Sequence, residues 1–436
     1  MHTLFSRKMT IGFTLLVGLL LSLTLSSVTP LAVHATASTT TITLSTVTGP
    51  PTTKVTVKGT GFGSSETVIV TFDSSTMLGT TTTDSLGSFS LGVTIPASAL
   101  PGMHSIQATG QSSGLTASHT FLVNTNWQQF GYDPAHSRTN PYEKVLTSTN
   151  VSNLTLDWSY ATGYPIHYSS PAVVNGVVYV GSCDGNVYAL NASNGTLQWR
   201  YKTGFYIGSS PAVVNGVVYV GSYYNNYFYA LNASNGTLRW RFLTGGSVSS
   251  SPAVVNGVVY VGSEDDYVYA LNASNGTVLW RYQTGAHVDS SPSVVNGVVY
   301  VGSNDHYVYA LNASTGTLRW RYQTGNVVLS SPAVVKGVVY VGSQDGYVYA
   351  LNASTGTLQW RYPTGSYVYS SPAVANGVVY VGSFDHYVYA LNASNGTLRW
   401  RYQTGSFIYS SPAVVNGVVY VGSNDSTIYA FHLPGM

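Results

Sequence analysis

Carboxylate side chains recur in the second half of this chain, about once in every forty residues. Most occupy a short polar stretch between two apolar ones. The stretches are Cys183-Asp184-Gly185, Tyr223-Tyr224-Asn225, Glu264-Asp265-Asp266, Asn304-Asp305-His306, Gln344-Asp345-Gly346, Phe384-Asp385-His386 and Asn424-Asp425-Ser426. A Ca²⁺ ion needs six or more oxygens at about 2.4 Å, which carboxylates this far apart cannot supply together. We therefore expect aspartates that hydrogen-bond their own turns and no metal site; only Glu264-Asp265-Asp266 is dense enough for a weak one.

Other reactive residue types offer little further chemistry. His306 and His386 occupy equivalent turns two units apart, too distant to share a metal ion. Cys183 replaces a variable turn residue, so we expect an exposed free thiol there. No Ser/His/Asp or Cys/His set stands apart from the repeat, and no catalytic residue is predicted. The recurring Asn-Ala-Ser sequons are explained first by turn formation, and glycosylation would require a host that performs it. They begin at Asn191, Asn232, Asn272, Asn312, Asn352 and Asn392.

The sequence of one repeat unit predicts the strands on either side of these turns. Asn296-Gly297 joins two apolar stretches and tolerates positive φ, which predicts a β-hairpin. A second turn leads to Tyr307-Val308-Tyr309-Ala310-Leu311, and Asn312 to Gly316 turns into a fourth stretch. Four antiparallel strands per forty residues are typical of one blade of a β-propeller. The 3.6-residue periodicity of a helical array is missing, so the fold class is all-β.

The copies can be counted at both ends of the unit. Ser-Pro opens a unit at Pro171, Pro211, Pro252, Pro292, Pro332, Pro372 and Pro412. Tryptophan closes a fourth strand at Trp158, Trp199, Trp240, Trp280, Trp320, Trp360 and Trp400. Trp158 has no unit before it, and the last unit stops at Ala430 without a tryptophan strand. We therefore predict that Leu154 to Tyr160 complete the last blade and close a seven-bladed propeller.

The tryptophans are predicted to dock each blade on the next. Alternation in the fourth strand places Leu318, Trp320 and Tyr322 on one side of the sheet. A buried aromatic side chain covers roughly 150 to 250 Å², enough to make each such contact strongly stabilising. Arg319 and Arg321 point to the other side of this outermost strand, where charge discourages edge-to-edge pairing.

Residues 1–37 have the pattern of an export signal. Arg7 and Lys8 precede the apolar run from Ile11 to Leu25, and Ala35-Thr36-Ala37 has the small residues of a cleavage site. A retained membrane anchor is the alternative, because the apolar run is only slightly shorter than a span. We expect a secreted or cell-surface protein with no membrane span after cleavage.

Two further segments precede the repeat region at 154–436. Residues 38–124 contain about seven short alternating stretches separated by Gly, Pro and Ser, which predicts a small β-sandwich. Residues 125–153 form a linker whose aromatic residues are too many for a free tether. We expect Trp127, Phe130, Tyr132 and Tyr142 to pack on the propeller.

Two parts of the sequence resemble known families. The stretch from Ala310 to Trp320 is similar to the tryptophan-docking repeat of pyrroloquinoline-quinone (PQQ) propellers, Ala-x-Asp-x-x-Thr-Gly-x-x-x-Trp, with Asn312 in the Asp place. It recurs at Ala189, Ala230, Ala270, Ala310, Ala350 and Ala390. Trp127 to Asp133 resembles the lead-in common in such proteins. Gly59 to Gly63 and the turn Asp84 to Phe89 resemble bacterial immunoglobulin-like surface domains, which are usually spacers or adhesive units.

The PQQ resemblance implies two kinds of function. The family contains quinone-dependent dehydrogenases and cofactor-free relatives, including outer-membrane assembly factors. The dehydrogenases resembled here generally have eight blades, long insertions carrying a catalytic Asp and Ca²⁺ ligands, and often a disulfide of adjacent cysteines. This chain has seven units, no inserted loops and one cysteine. We expect no cofactor, with PQQ and Ca²⁺ required only if the chain is an oxidoreductase.

Variation between the units falls on one predicted face. It is concentrated in the turns given above and just before Ser-Ser-Pro, where Tyr168, Gly208, Ser249, Asp289, Leu329, Tyr369 and Tyr409 are equivalent. Neutral drift of exposed turns and a binding face both explain this pattern, and the aromatic content favours binding. The candidate ligand-binding residues are Tyr168, Tyr223, Tyr224, Glu264, Asp289, His306, Tyr369, Phe384, His386 and Tyr409.

The leading hypothesis is a non-catalytic binding or scaffold protein that engages a protein or glycan through this face. The alternatives are a PQQ-dependent alcohol or sugar dehydrogenase and a carbohydrate-binding propeller. A formal net charge of +2 without a basic block argues against nucleic acid as the partner.

Overall fold

The computed structural model describes residues 39–136, 156–166, 169–415 and 418–431. All regular elements in these ranges are β-strands, which confirms the all-β class. The same ranges hold no helix long and apolar enough to cross a bilayer. The predicted export signal, residues 1–37, lies outside the described residues, as do Tyr142 of the linker and the candidate residue Tyr168.

Residues 41–123 form two sheets around one apolar core. Alternation produces this core, because Val55 and Val57 of one sheet and Val68 and Val70 of the other are buried while the residues between them are less so. The first sheet has the order β1-β3-β6 and the second β2-β8-β7-β4-β5. The strands are β1 (Thr41–Leu44), β2 (Thr48–Gly49), β3 (Lys54–Thr60), β4 (Thr67–Phe72), β5 (Thr76–Thr82), β6 (Phe89–Thr94), β7 (Gly102–Gly110) and β8 (Thr116–Val123).

The repeat region forms six sheets of four strands and one of three in the described part of the chain. Strands follow one another in sequence order, and each pairs antiparallel with the next. The first three sheets are β9 (Ala172–Val174), β10 (Val177–Gly181), β11 (Asn186–Asn191), β12 (Leu197–Lys202); β13 (Ala212–Val214), β14 (Val217–Gly221), β15 (Tyr227–Asn232), β16 (Leu238–Leu243); and β17 (Ala253–Val255), β18 (Val258–Gly262), β19 (Tyr267–Asn272), β20 (Val278–Gln283). The others are β21 (Ser293–Val295), β22 (Val298–Gly302), β23 (Tyr307–Asn312), β24 (Leu318–Gln323); β25 (Ala333–Val335), β26 (Val338–Gly342), β27 (Tyr347–Asn352), β28 (Leu358–Pro363); β29 (Ala373–Ala375), β30 (Val378–Gly382), β31 (Tyr387–Asn392), β32 (Leu398–Gln403); and β33 (Ala413–Val415), β34 (Val418–Ser423), β35 (Thr427–Phe431).

Trp280 illustrates how one sheet contacts the next. Its indole N–H donates to the carbonyl oxygen of Ala313 at 2.8 Å, and the side chain is buried. The ring lies over Gly316 of the same turn, where an added Cβ would come within 2.6 Å of the indole. Because the tryptophan of one unit rests on the glycine of the next unit's turn and bonds a main-chain carbonyl of that turn, the tryptophan and the glycine recur together. The same hydrogen bond joins Trp158 to Ala192, Trp199 to Ala233, Trp240 to Ala273, Trp320 to Ala353 and Trp360 to Ala393.

The closing strand predicted at Leu154 to Tyr160 is not seen in the described residues. Residues 156–160 form no strand, and the last sheet consists of β33, β34 and β35 only. Trp158 nevertheless donates to Ala192 at 2.9 Å, and Tyr160 packs against Tyr188 at 5.7 Å between ring centroids. The indole can dock when one side chain is correctly placed. A fourth strand would need several consecutive backbone hydrogen bonds to the neighbouring strand.

The leucine of the fourth strand is not buried beside the tryptophan, contrary to the alternation predicted from the sequence. Leu318 is 42% exposed, whereas Trp320 is 8% exposed. Trp320 pairs with Ala310 and Leu318 with Leu311, so one residue of the fourth strand is unmatched between them. This β-bulge reverses the side to which Leu318 points.

Residues 127–136 run along the innermost strands of successive sheets. Trp127 pairs with Val173 of β9 through two backbone hydrogen bonds of 2.8 Å. Farther along, the Pro134 and Ala135 carbonyls accept the amide N–H groups of Val294 at 2.6 Å and Val334 at 3.0 Å. The segment thereby supplies acceptors to inner strand edges that would otherwise be unpaired.

Gln129 supplies one of these acceptors from its side chain, which yields a prediction. Its Oε1 accepts the buried N–H of Val254 at 3.1 Å, and Gln129 is itself 4% exposed. Gln129→Ala should leave that N–H without a partner and destabilise the protein by about 1 to 3 kcal/mol. Hydrogen exchange should show faster exchange at the Val254 amide.

Gln128→Ala is the matched control for this variant. Gln128 is exposed and accepts the Val213 N–H at 2.7 Å through its main-chain carbonyl, which alanine retains. Exchange at the Val213 amide should therefore be unchanged. Equal effects of the two substitutions would contradict the role assigned to the Gln129 side chain.

Candidate functional site

The connections that differ between units meet at one end of the sheets. Because each sheet is an antiparallel succession, its second-to-third turn and its fourth-to-first connection lie at the same end. The two are directly bonded, since the Tyr223 N–H donates to the Tyr206 carbonyl at 2.8 Å and the Asn304 N–H to that of His287 at 2.9 Å. We call this end the variable face.

The turn aspartates of the variable face are structural. In Asp305, Oδ1 accepts the Tyr307 N–H at 3.0 Å, and Oδ2 accepts the Tyr309 hydroxyl at 2.5 Å and the Gly285 N–H at 2.7 Å. The same three bonds form at Asp184, Asp265, Asp345, Asp385 and Asp425. Each aspartate thereby fixes its own turn to the Thr-Gly turn about twenty residues before it, which at Asp305 follows the fourth strand of the preceding sheet.

At Asp184 and Asp425 these hydrogen bonds also lower the pKa of the carboxyl group. At Asp425, burial acts to raise the pKa, but donors that include Tyr429 and Gly405 outweigh it and lower the pKa to about 2. In Glu264-Asp265-Asp266, the carboxylate of Asp265 is occupied in this way. The described residues contain no group of three or more His, Cys, Asp or Glu side chains that could hold a metal ion.

A cavity of about 590 Å³ opens on the variable face. Tyr206, Tyr223, Tyr224, Glu264 and Asp289 line it, together with Phe130 from the segment along the inner strands. The remaining lining residues are Gly208, Ser249, Ser251, Ser291, Leu329, Ser331 and Ser371. We call it the acidic cavity, because its charged residues are two carboxylates. Its volume is in the range of small-molecule sites.

The two carboxylates of the acidic cavity have different surroundings. Asp289 is fixed on both oxygens, by the Ser249 hydroxyl at 2.7 Å and the Asn304 amide at 2.9 Å. Glu264 lies near the Tyr223 hydroxyl, and its charge acts on that phenol. Burial and the charge of Glu264 together raise the pKa of Tyr223 to about 12, so this phenol stays neutral at physiological pH.

Three tyrosines form the aromatic wall of the acidic cavity. The Tyr206 and Tyr223 rings are 5.7 Å apart, and the Tyr223 and Tyr224 rings meet edge to face at 4.5 Å. The turn that carries Tyr223 and Tyr224 is one residue longer than its equivalents. Tyr224 has φ of 64° and is 70% exposed.

A chain of serine hydrogen bonds lies under the cavity. The Ser251 N–H donates to Ser291 Oγ at 2.9 Å, the Ser291 N–H to Ser331 Oγ at 3.0 Å and the Ser331 N–H to Ser371 Oγ at 2.9 Å. The same bond joins Ser170 to Ser210, Ser210 to Ser251 and Ser371 to Ser411. The chain links neighbouring sheets and gives the acidic cavity a fixed polar base.

A second group of aromatic side chains lies on the connections of the last two sheets. Phe384 is at its centre, with ring centroids 4.5 Å from Tyr369, 4.4 Å from Tyr409 and 5.0 Å from Phe407. Tyr367 completes the group, 6.2 Å from Phe384. We call these five residues the aromatic cluster.

The structure divides the candidate residues from the sequence into these two groups. Tyr223, Tyr224, Glu264 and Asp289 meet in the acidic cavity, and Tyr369, Phe384 and Tyr409 meet in the aromatic cluster. His306 and His386 hold turn positions with φ of 75° and 74°, and neither is among the residues lining the acidic cavity. His386 lies 6.4 Å from Phe407.

Sequence comparison of the units missed Tyr206, Tyr367 and Phe407. They occupy one equivalent position, two residues before the variable position that precedes Ser-Ser-Pro. The residue between the two positions, such as Ile207 or Ile408, is buried. Alternation in an extended connection places both flanking residues on the variable face, which was the available signal.

Family profiles match three overlapping parts of residues 127–435, which include the repeat region. Residues 127–207 match the profile described as glucose/ethanol/alcohol dehydrogenase, β-propeller domain. Residues 202–289 match that of outer membrane protein assembly factor BamB, and residues 255–435 that of the beta-alanine-activating enzyme β-propeller. No curated protein matches the sequence.

Solved structures share the fold at low sequence identity. BamB from Moraxella catarrhalis aligns with a TM-score of 0.53 and 22% identity, covering 59% of this chain and 82% of that one. The quinohemoprotein alcohol dehydrogenase ADHIIG from Pseudomonas putida aligns with a TM-score of 0.61 and 18% identity, covering 70% of each chain. A europium-containing methanol dehydrogenase aligns with a TM-score of 0.50 and 15% identity, covering 70% of this chain and 89% of that one.

The successive four-stranded sheets and these similarities define a β-propeller. Its repeats are of the PQQ type, so the repeat region is a PQQ-like β-propeller, as the resemblance in the sequence implied.

The acidic cavity does not fit the quinone for which the repeat is named. PQQ is a tricarboxylate, and a site for it must supply cationic groups or a bound cation. Glu264 and Asp289 would repel it, and the residues lining this cavity include no lysine or arginine. The described residues also hold no group of three or more His, Cys, Asp or Glu side chains that could bind such a cation.

Proposed function

We propose that this chain is a secreted or cell-surface, non-catalytic binding protein that engages a protein or glycan through the variable face of its propeller. The acidic cavity and the aromatic cluster carry this proposal. Both are built from positions that differ between otherwise similar units, so the copies are specialised where a ligand would contact them. Grouped aromatic side chains on one face are typical of recognition surfaces.

The proposed architecture is a seven-bladed propeller presented by an immunoglobulin-like spacer. Seven successive sheets in the repeat region support the blade number. Trp158 supports closure of the ring, because it contacts the first sheet as Trp199 contacts the second. The two sheets of residues 41–123 around one core support the spacer, and the pattern of residues 1–37 supports export.

A PQQ-dependent oxidoreductase is the second candidate. The match of residues 127–207 to a dehydrogenase propeller profile favours it, as does the similarity to two dehydrogenase structures. The lining of the acidic cavity argues against a quinone at that place.

A binding screen separates these candidates. The full-length protein is tested against a glycan array, against a panel of purified cell-surface proteins and by titration with PQQ and Ca²⁺. The proposal expects saturable binding in one of the first two arms and none in the third. Saturable PQQ binding accompanied by dye-linked oxidation of an alcohol or sugar would replace it with the oxidoreductase.

Phe384→Asn locates the binding surface. Asparagine occupies the equivalent turn position in two other units, as Asn304 and Asn424, so the substitution should preserve the turn. It removes the central ring of the aromatic cluster and should lower the affinity of ligands that contact the variable face. Lys336→Asn is the matched control, because Lys336 lies in the hairpin turn at the opposite end of its sheet, where other units have asparagine. A ligand weakened only by the control substitution would contradict the proposed surface.

A further inference from the structure

We propose that the acidic cavity binds an organic cation, an ammonium or guanidinium group on a short chain, between its tyrosine rings and its two carboxylates. The inference rests on the proposed function and gives the chemistry of its ligand. The cavity is lined by Tyr206, Tyr223, Tyr224, Glu264 and Asp289, and no basic residue is among its lining residues.

The charge of the variable face favours cations over a longer range. Nine of the fifteen acidic residues of the chain lie in its connections, at Asp184, Glu264, Asp265, Asp266, Asp289, Asp305, Asp345, Asp385 and Asp425. The arginines of the repeat region lie in the fourth strands instead, and Arg321 stacks over Tyr307 at 4.6 Å. Such a separation of charge concentrates cationic ligands at the cavity and repels anionic ones.

The tyrosine wall has the geometry of a cation site. Adjacent rings are inclined by 61° between Tyr206 and Tyr223 and by 81° between Tyr223 and Tyr224, so they present faces in different directions. A cation beside such faces is attracted by the ring quadrupoles. The Tyr223 phenol is neutral at physiological pH, and burial and the charge of Glu264 raise its pKa further, to about 12.

The carboxylates complete the site on its acidic side. Asp289 is held in place by Ser249 and Asn304, and an ionised carboxylate keeps acceptor sites beyond the two they use. Glu264 lies beside Tyr223 in the same cavity lining, so its carboxylate and the rings of the wall face one ligand. A charge placed against oriented acceptors needs little rearrangement of the protein.

Tyr224 shows that this part of the face departs from the repeat. Its turn is one residue longer than the equivalents, and a tyrosine at φ of 64° adopts a conformation that costs about 1 to 2 kcal/mol. The inserted ring is 70% exposed at the edge of the cavity, so its own burial does not offset this cost. Strain retained at a cavity edge is expected where the side chain contacts a ligand.

The test is calorimetric titration of the full-length protein with two cationic probes and one neutral one. Choline represents a free ammonium ion, and a Gly-Ser peptide with one central lysine represents a protein side chain. 3,3-Dimethyl-1-butanol has the shape of choline without its charge. At least one cationic probe should bind about tenfold or more tightly than the neutral alcohol, and binding should weaken with added salt.

Two variants locate the binding. Glu264→Gln introduces the residue type found at the equivalent position of another unit, Gln344. It should lower the affinity for the cationic probe about tenfold. Deletion of Tyr224 restores the common turn length and should have a similar effect, with the thermal unfolding midpoint as a check on folding. Lys336→Asn should leave cation binding unchanged, because Lys336 lies in the hairpin turn at the opposite end of its sheet and is not among the residues lining the cavity.

The outcomes separate this inference from the proposed function. Peptide binding without choline binding would support the inference and assign the ligand to a basic side chain, and the reverse would assign it to a small free ammonium compound. No cation binding, or equal binding of choline and the neutral alcohol, would overturn it. A glycan or protein ligand found in the screen would then still support the binding function.

Discussion

Replacement of Trp280 by alanine is expected to lower the free energy of unfolding by about 3 to 5 kcal/mol. The indole is 8% exposed, packs 5.9 Å from the Tyr260 ring and donates to the Ala313 carbonyl of the next sheet. Its removal leaves a cavity between two sheets and a carbonyl with one donor fewer. The midpoint of urea unfolding, followed by circular dichroism, measures the effect.

Trp400→Ala is the matched control for this prediction. Trp400 occupies the equivalent position in the sixth sheet but is 37% exposed, packed mainly against Tyr402 and Phe431. Less apolar surface is buried, so its loss should cost about 1 to 2 kcal/mol. If both substitutions lowered the midpoint equally, burial of the indole between sheets would not be the source of the stability.

The sequence predicted the parts of this fold that depend on local chemistry. Asn296-Gly297 takes the positive φ values that its residue types tolerate, and Asp305 bonds its own turn. Tryptophan docking was also predictable, because the tryptophan and the glycine on which the indole rests lie at fixed positions in the same repeat. The same turn and strand patterns recur in every forty-residue unit, so the class of fold could be predicted from the sequence.

Contacts made by the main chain over long distances were not predictable. The register of residues 127–136 depends on carbonyls such as those of Pro134 and Ala135, and any residue type can supply a carbonyl. Only the aromatic content of the segment indicated that it would pack. The predicted strand at Leu154 to Tyr160 rested on the unmatched Trp158 and on the missing tryptophan strand of the last unit. Trp158 takes a docking position without a strand in the described residues.

The candidate site was predictable as a face but not as a cavity. Variation between the copies identified Tyr223, Glu264 and Asp289, which come from three different connections. These three side chains meet only if each connection extends far enough over the inner strands. No local sequence pattern predicts that distance. Tyr206 was missed for the same reason, although the buried Ile207 beside it marks the alternation that turns it toward the variable face.

Gly316→Ala should destabilise the protein by about 2 to 5 kcal/mol, and it tests the other half of the tryptophan contact. Gly316 has φ of 72°, a region that costs an alanine about 1 to 2 kcal/mol. The added Cβ would also lie within 2.6 Å of two Trp280 ring atoms, so the indole must move and its hydrogen bond to Ala313 must weaken.

Gly297→Ala separates the strain from the clash. Gly297 has nearly the same φ, 74°, in a hairpin turn of the same sheet, but nothing lies within 4 Å of its added Cβ. Its substitution should cost only the backbone term, about 1 to 2 kcal/mol. The difference between the two urea midpoints therefore measures the indole contact alone. Equal midpoints would mean that the glycine recurs for its backbone conformation and not because the tryptophan of the preceding sheet rests on it.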